Sequence, residues 1–397
     1  MSRLVEEEGT MNAATPPVAY NGLTELTAGL PADRYFDPAH YALELQRIWY
    51  REWIYVGRSS ALARPRSFLR FDLGDQHVLL LRDSGGTLRA YHNTCRHRGA
   101  ALCREQRGEL VGATLVCPYH AWVYSLEGRL LRTSSKLHPD GFELDQHSLY
   151  PVHLCEWNGG VFISLAAEPP PFGSSFDDSL DRLAAWGIAD LVVGHALTKT
   201  LACNWKIFWE NYSECLHCPT VHRELSQLVP IYGRALLEER DDPEWHRHAQ
   251  DDDPKYKGGL RRGAASWSTD GQLSAAAFPN VDAADASRGA VYVTGLPSVF
   301  VVAHVDYVRI VRLLPLGPEK TELRIEYLFA PAALRDPQFR LANIVEFANR
   351  VMSEDAAVCE LNQQGLHALT HARGVVMPEE YLIKQFHEWI AARLERP

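Results

Sequence analysis

Asn93-Thr94-Cys95-Arg96-His97-Arg98-Gly99, then Cys117-Pro118-Tyr119-His120-Ala121-Trp122, are the stretches that decide the fold. Read as ligands they run Cys-x-His, nineteen intervening residues, then Cys-x-x-His. Two short pairs on strand-connecting loops can close on one metal centre from opposite sides, each half offering a thiolate and an imidazole. That set suits an asymmetric [2Fe–2S] cluster in which one iron takes Cys95 and Cys117 and the other His97 and His120. Neutral imidazole in place of thiolate lowers the cluster's negative charge and raises its potential above that of an all-cysteine ferredoxin. Zinc would accept the same donors, but its structural modules usually pair Cys with Cys and His with His, at longer His spacing. Chance or packing would have to account for both pairs together with Gly99, Gly108 and Pro118 at the loop bends. Cys103 lies between the pairs and outside both, and reads as a non-ligand.

Around these loops, 68–164 is a succession of short strands and turn signals, such as His77-Val78-Leu79-Leu80-Leu81 followed by Asp83-Ser84-Gly85-Gly86. This predicts a small all-β domain. Ahead of it, 38–63 reads as a helix running into the strand Trp53-Ile54-Tyr55-Val56. Behind it, Glu168-Pro169-Pro170-Pro171-Phe172-Gly173-Ser174-Ser175 reads as a linker, because consecutive prolines continue neither a helix nor a central strand. The remainder predicts a helix over 204–217, strands over 290–294, 299–304, 308–314 and 322–328, a hairpin turn at 317–320, and helices over 338–367 and 378–395. Strands followed by helices favour an α+β domain, an antiparallel sheet with helices packed on one side. The expected organisation is a mobile tail (1–25), a helical segment packed on the catalytic half (26–50), the cluster domain (51–167), the linker (168–176) and a catalytic domain (177–397).

At 397 residues the chain is long enough for two cores. A net charge of −10 argues against a general polyanion binder, nucleic acid included. No apolar run is long enough to span a bilayer, and the acidic start (Glu6, Glu7, Glu8) lacks an apolar signal core. The expectation is a cytoplasmic protein without membrane partners. Its eight cysteines would then be free thiols able to bind metal rather than four disulfides.

The second informative run is Trp205-Lys206-Ile207-Phe208-Trp209-Glu210-Asn211-Tyr212-Ser213-Glu214-Cys215-Leu216-His217-Cys218-Pro219-Thr220-Val221-His222. At about 100° per residue, Glu210, Glu214 and His217 share one helical stripe and Trp205, Phe208, Trp209 and Tyr212 the other. On an unbroken helix His217 and His222 would point about 140° apart. Pro219 makes a regular helix unfavourable there, so the chain can turn and bring both imidazoles to one ion. A carboxylate from elsewhere would complete the two-histidine, one-carboxylate set that leaves ferrous iron open to O₂ and substrate. Spacing alone does not choose it; Asp355, among apolar neighbours in a helical stretch, is a candidate, since a charge buried there calls for a partner or a metal. Single histidines and carboxylates are more often solvated or paired than ligating. Cys215 and Cys218 could form a thioredoxin-like pair, but they overlap the histidines and lack a βαβ setting.

From about Leu30 onward the two runs together resemble the α subunits of Rieske oxygenases. Glu-Asn-Tyr-Ser-Glu-Cys-Leu-His-Cys-Pro (210–219) is similar to the branch of glycine betaine, carnitine and related quaternary-ammonium monooxygenases, as are Ser266-Trp267-Ser268, Asp270-Gly271, Asp306-Tyr307-Val308 and Cys359-Glu360-Leu361-Asn362-Gln363. The resemblance implies an α+β chain, a small all-β Rieske domain plus a larger helix-grip, START-like domain whose antiparallel sheet is covered by helices. It implies that His217, His222 and Asp355 hold the catalytic iron. Glu214 would stand between His217 and His120 of the partner subunit in a head-to-tail trimer. Leu216 departs from the family, where an aromatic is common, and Thr220-Val221-His222-Arg223 lacks the proline often found after the second histidine.

The implied activity is hydroxylation or N-demethylation of a small betaine-like cation with O₂. A carbon beside nitrogen is hydroxylated, and the carbinolamine collapses to amine and aldehyde; aromatic faces would hold the cation. Electrons would come from NAD(P)H through a separate flavin/iron–sulfur reductase, since no Gly-x-Gly-x-x-Gly follows a strand. Two other readings are an oxygenase acting on an aromatic acid, and a non-catalytic iron–sulfur carrier or zinc-stabilised binding protein.

Overall fold

Val299-Phe300-Val301-Val302-Ala303-His304 is β-branched or aromatic at most positions and buried along its whole length, as a strand covered on both faces must be. In the computed structural model, which describes residues 19–176 and 180–395, this strand lies inside a five-stranded antiparallel sheet. The strand order is Val192–Leu201, Lys320–Phe329, Val308–Gly317, Val299–His304, Ala290–Gly295. Strand parity sorts the side chains. Phe300, Val302, Val311, Leu313, Ile325 and Tyr327 enter one core, and Val291, Val293, Val301, Ala303, Ile310 and Leu328 enter another. The helix Leu341–Leu366 lies over the first face, and Tyr381–Leu394 packs beside Trp205–Tyr212 through Phe386 on Trp205 (5.7 Å between centroids). This is the α+β arrangement that the later strands and helices predict.

The first half is all β. Ser67–Leu73, Gln76–Arg82, Leu88–His92 and Arg107–Glu109 form one antiparallel sheet, and Thr114–Val116, Val123–Ser125 and Leu130–Arg132 a second. Ile54–Arg58 pairs with Gly160–Ser164 and also seats this half on the catalytic sheet. There Tyr55 N–H donates to Ser298 Oγ (3.0 Å), Tyr55 Oη to Glu326 (3.0 Å), and Arg312 to the Val56 carbonyl (2.6 Å).

Four points differ from expectation. Of the tail, residues 1–18 lie outside the described ones, but Asn21 and Leu23 are tied to the catalytic half through Arg240 O (3.1 Å) and Pro378 O (2.9 Å). The segment 26–50 opens as a strand, Thr27–Pro31, paired with Arg373–Val376, before the helix Pro38–Glu44 that Asp37 caps. The proline-rich segment is packed: Phe172 and Phe176 join Trp53, Trp157 and Phe162, and Trp53 Nε1 donates to Pro170 O (2.8 Å). Val192–Leu201 was not expected as a strand at all. It is the sheet's edge, and Gly194, His195 and Lys199 blur its alternation.

Candidate active site

The two cluster loops leave neighbouring strands and turn back tightly. Gly99 N–H returns to Cys95 O (2.9 Å) with φ +76°, and Ala121 N–H to Cys117 O (3.0 Å) with φ +53°, left-handed backbone that a β-carbon resists. Asn93 braces the first loop, accepting the N–H groups of Leu102 (3.0 Å) and Cys103 (2.9 Å) and donating to Cys103 O (2.8 Å). Cys103 is thus held through its backbone by this brace, and its thiol is buried. Cys95 and Cys117 are buried, whereas His97 is exposed and His120 half-buried. The two imidazoles lie 4.7 Å apart, and His97 stacks on Trp122 at 4.8 Å. Tyr124 Oη sits 3.2 Å from Cys95 Sγ and accepts the Arg96 N–H. Burial pushes the Cys95 thiol up, and the Tyr124 hydroxyl opposes that shift. Two inward thiols and two outward imidazoles, with a hydroxyl on one sulfur, are the donor set and the setting that a histidine-ligated [2Fe–2S] cluster needs.

In the catalytic half, Asn204 caps Trp205–Tyr212 by accepting Lys206 N–H (3.0 Å), and the helix ends at Tyr212 rather than running to 217. Ser213 Oγ takes the Trp209 carbonyl, while Glu214 accepts the N–H groups of Leu216 and His217 that a continuing helix would use. Glu210 therefore leaves the expected stripe and bonds Tyr35 (2.6 Å) and His387 (2.8 Å). Pro219 sits in the first turn of a short helix, Cys218–Val221, where its missing N–H is harmless; the break falls at His222 (φ −109°, ψ 68°).

That break brings the three candidate iron ligands together. His217 Nε2 and His222 Nε2 are 3.2 Å apart, and Asp355 Oδ1 lies 2.8 Å from His222 and 3.4 Å from His217. Among the described residues this is the group whose donor atoms converge within 4.8 Å in the manner of a metal site. Two imidazole nitrogens and one carboxylate oxygen match the facial triad of non-haem iron. Each histidine's far nitrogen meets a carboxylate, His217 Nδ1 with Glu214 (2.5 Å) and His222 Nδ1 with Glu354 (2.8 Å). Such partners fix the ring and its tautomer for metal binding. Burial lowers His217, but its bonds to Asp355 and Glu214 outweigh this and raise it to about 9. Burial raises Asp355, and the two histidines more than reverse that. A dication would take the place of the protons these groups share.

Sequence reasoning missed Glu354, whose only signal is its position next to Asp355, and Asn211, whose Nδ2 is 3.4 Å from His217 Nε2. It also raised Cys215 and Cys218 as a pair and set that aside for want of a βαβ setting. Cys215 and Cys218 form a disulfide, because the turn around Leu216-His217 brings their Cα atoms to 4.9 Å; the other six cysteines are free.

The triad opens on a cavity of about 660 Å³. Its walls include Tyr212, Trp267, Tyr292, Phe300 and Phe386, with Tyr212 and Phe300 in contact at 4.2 Å. Arg309, on the inner face of the sheet, reaches the same cavity.

Comparison with known proteins places both halves. The Rieske [2Fe-2S] domain family matches residues 52–139, and the family described as ring hydroxylating alpha subunit (catalytic domain) matches 188–396. The glycine betaine monooxygenase oxygenase subunit of Chromohalobacter salexigens is 30% identical over 387 residues, covering 91% of this chain and 84% of its own length. The chloroplastic choline monooxygenase of Beta vulgaris is 28% identical, covering 92% and 77%. Among solved structures, a quaternary ammonium Rieske monooxygenase from a study of carnitine oxidation by gut microbiota superposes with a TM-score of 0.71 at 20% identity, over 93% of this chain and 96% of that one. The matched catalytic domain excludes the reading as a bare electron carrier. With the two families matched in order along one polypeptide, the chain belongs to the Rieske oxygenase α subunits, oxidoreductases that incorporate O₂ using a [2Fe–2S] cluster and a non-haem iron.

Proposed function

We propose that this oxygenase hydroxylates, and thereby N-demethylates, a small quaternary-ammonium substrate. The observation that carries the reading is an aromatic-walled cavity opening on two histidines and a carboxylate. Relatives named for glycine betaine and choline oxidation support it. Cys95, His97, Cys117 and His120 would hold the cluster, and His217, His222 and Asp355 the iron. When bound, these groups supply stored electrons and O₂ activation at coordination positions the protein leaves open.

The chain's own residues do the rest. Tyr212, Trp267 and Tyr292 offer π faces to a trimethylammonium group, an attraction of about 0.5–2 kcal/mol per face that grows as water is excluded. Glu214 and Glu354 hold the imidazoles in one tautomer. With one oxygen atom in an N-methyl C–H bond and the other in water, the carbinolamine releases formaldehyde and leaves a tertiary amine. In the same proposal, Glu214 faces His120 of the partner subunit in a head-to-tail trimer. A separate flavin/iron–sulfur reductase delivers electrons from NAD(P)H in the cytoplasm. Among the described residues no helix is long and apolar enough to cross a membrane.

Oxygen uptake and formaldehyde release with a surrogate reductase test this against a panel of quaternary amines and benzoate-like acids. Amine-dependent uptake with stoichiometric formaldehyde is expected. Uptake with the aromatic acids and none with the amines would overturn it.

A further inference from the structure

Among the described residues, every buried arginine but one has its charge or its donors answered. Arg312 pairs with Glu322 (2.8 Å) and donates to Val56 O, and Arg58 donates to the carbonyls of Ile188 (2.8 Å) and Leu191 (3.3 Å). Arg309 is 6% exposed, and among the described residues no ion pair or hydrogen bond reaches its guanidinium; its Nε is enclosed without a partner. Its neighbours across the strands are Val302 and Tyr327, which offer no charge. The acids bordering the same cavity are engaged elsewhere: Glu214 with His217, Asp355 with His222, Glu238 with Asn21.

A desolvated guanidinium without a counter-charge is a standing cost to the fold unless something that enters the cavity answers it. Its planar fork matches a carboxylate in two parallel hydrogen bonds. Trp267 lines the same cavity; its Nε1 is also buried without a partner among the described residues, and its ring stands 5.3 Å from His304. The cavity is thus polarised, with Glu214 and Asp355 at the triad and an unanswered guanidinium on the sheet wall.

We propose that Arg309 is the anchor for a substrate carboxylate, so that the site takes zwitterions carrying both a quaternary ammonium and a carboxylate and disfavours cations without one. The proposal rests on the quaternary-ammonium reading and names its substrate class. A simple alkanol cation would bring a like charge into the low-dielectric space Arg309 occupies, with nothing to neutralise it. A betaine brings its own counter-ion.

Glycine betaine and choline share the trimethylammonium group and differ in carboxylate against alcohol, so they are the probes. Calorimetric binding to the purified holoenzyme, wild type, Arg309→Met and Arg309→Lys, reads affinity apart from turnover; cluster absorbance and thermal midpoint report folding. A charge-assisted hydrogen bond implies that wild type binds glycine betaine roughly 10- to 100-fold tighter than choline. Arg309→Met removes that preference by weakening glycine betaine while leaving choline binding as tight as in wild type or tighter, since the like charge is gone. Arg309→Lys, with the charge but not the fork, lies between and serves where the methionine variant fails to fold. Choline binding as tightly as glycine betaine in wild type, or equal loss of both in a folded variant, overturns the role of Arg309 and leaves the quaternary-ammonium reading standing. Binding of neither probe, with no amine-dependent oxygen uptake, overturns both.

Discussion

His217 shows how much one position decides. Its Nε2 is 3.2 Å from His222 Nε2, and its Nδ1 is held by Glu214 at 2.5 Å, so the ring links the proposed iron site to the proposed path between subunits. His217→Ala should abolish turnover and the mononuclear iron while leaving the cluster's visible spectrum and acid-labile sulfide unchanged. Bleaching would mean that the two sites have been exchanged. Glu354 acts one step further out. Glu354→Gln keeps the shape and removes the charge behind His222, and the expected loss is roughly 10- to 100-fold in iron affinity, read by competition with a chelator, with the cluster untouched. Six of the seven proposed ligands were legible because metal binding selects residue types at short spacings; Asp355, a charge among apolar neighbours, was one candidate and was singled out only by resemblance. Glu354 and Arg309 were not. Glu354 meets His222 from 132 residues away, and Arg309 matters for the partner it lacks, which only the assembled wall reveals.

Among elements, the helix Leu341–Leu366 was readable almost to its ends, since a long amphipathic period leaves little choice. The helix ending at Tyr212 was overextended in the sequence reading. Nothing in Ser213-Glu214-Cys215-Leu216 forbids helix, and it is the side chains of Ser213 and Glu214, competing for backbone groups, that stop it. Its other end is fixed by a buried charge pair: Glu44 accepts Lys206 Nζ at 2.6 Å and Trp205 Nε1 at 2.7 Å, with both Glu44 and Lys206 withdrawn from solvent. Burial pulls Lys206 below the ordinary lysine value, and Glu44 pulls it back. Removing one partner strands the other. Glu44→Ala should therefore cost about 3–5 kcal/mol, measured by urea unfolding followed through tryptophan fluorescence, whereas Glu44→Met with Lys206→Met should recover most of it. A loss under about 1 kcal/mol, as for an exposed pair, would show that this pair does not bind the N-terminal helix to the catalytic half.

At the scale of the molecule the imidazoles proposed to hold the cluster lie toward the surface. Cys95 and Cys117 are buried at 2% exposure, while His97 is open and Tyr119 beside His120 is 56% exposed. The proposed conduit for electrons and the aromatic beside it therefore lie at the surface. No pattern within one sequence gives the symmetry of an assembly, so the trimer entered only through resemblance, but the outward imidazoles say where a partner would have to sit. In the proposed head-to-tail ring each such surface would meet the partner's Glu214, and the ring would close on itself. Two inactive chains can test this: Cys95→Ser, without the cluster, and His217→Ala, without the iron. Each alone should be dead. If electrons cross between subunits, equal co-assembly leaves about one junction in four with an intact donor facing an intact acceptor, so oxygen uptake should return to about a quarter of wild type. If each cluster served its own chain's iron, no mixture could recover activity, because no chain in it carries both centres. Recovery therefore assigns the path to the junction, and Glu214→Gln in the His217-intact chain should then lower the recovered rate, while the same change in the iron-deficient chain should leave it unaltered.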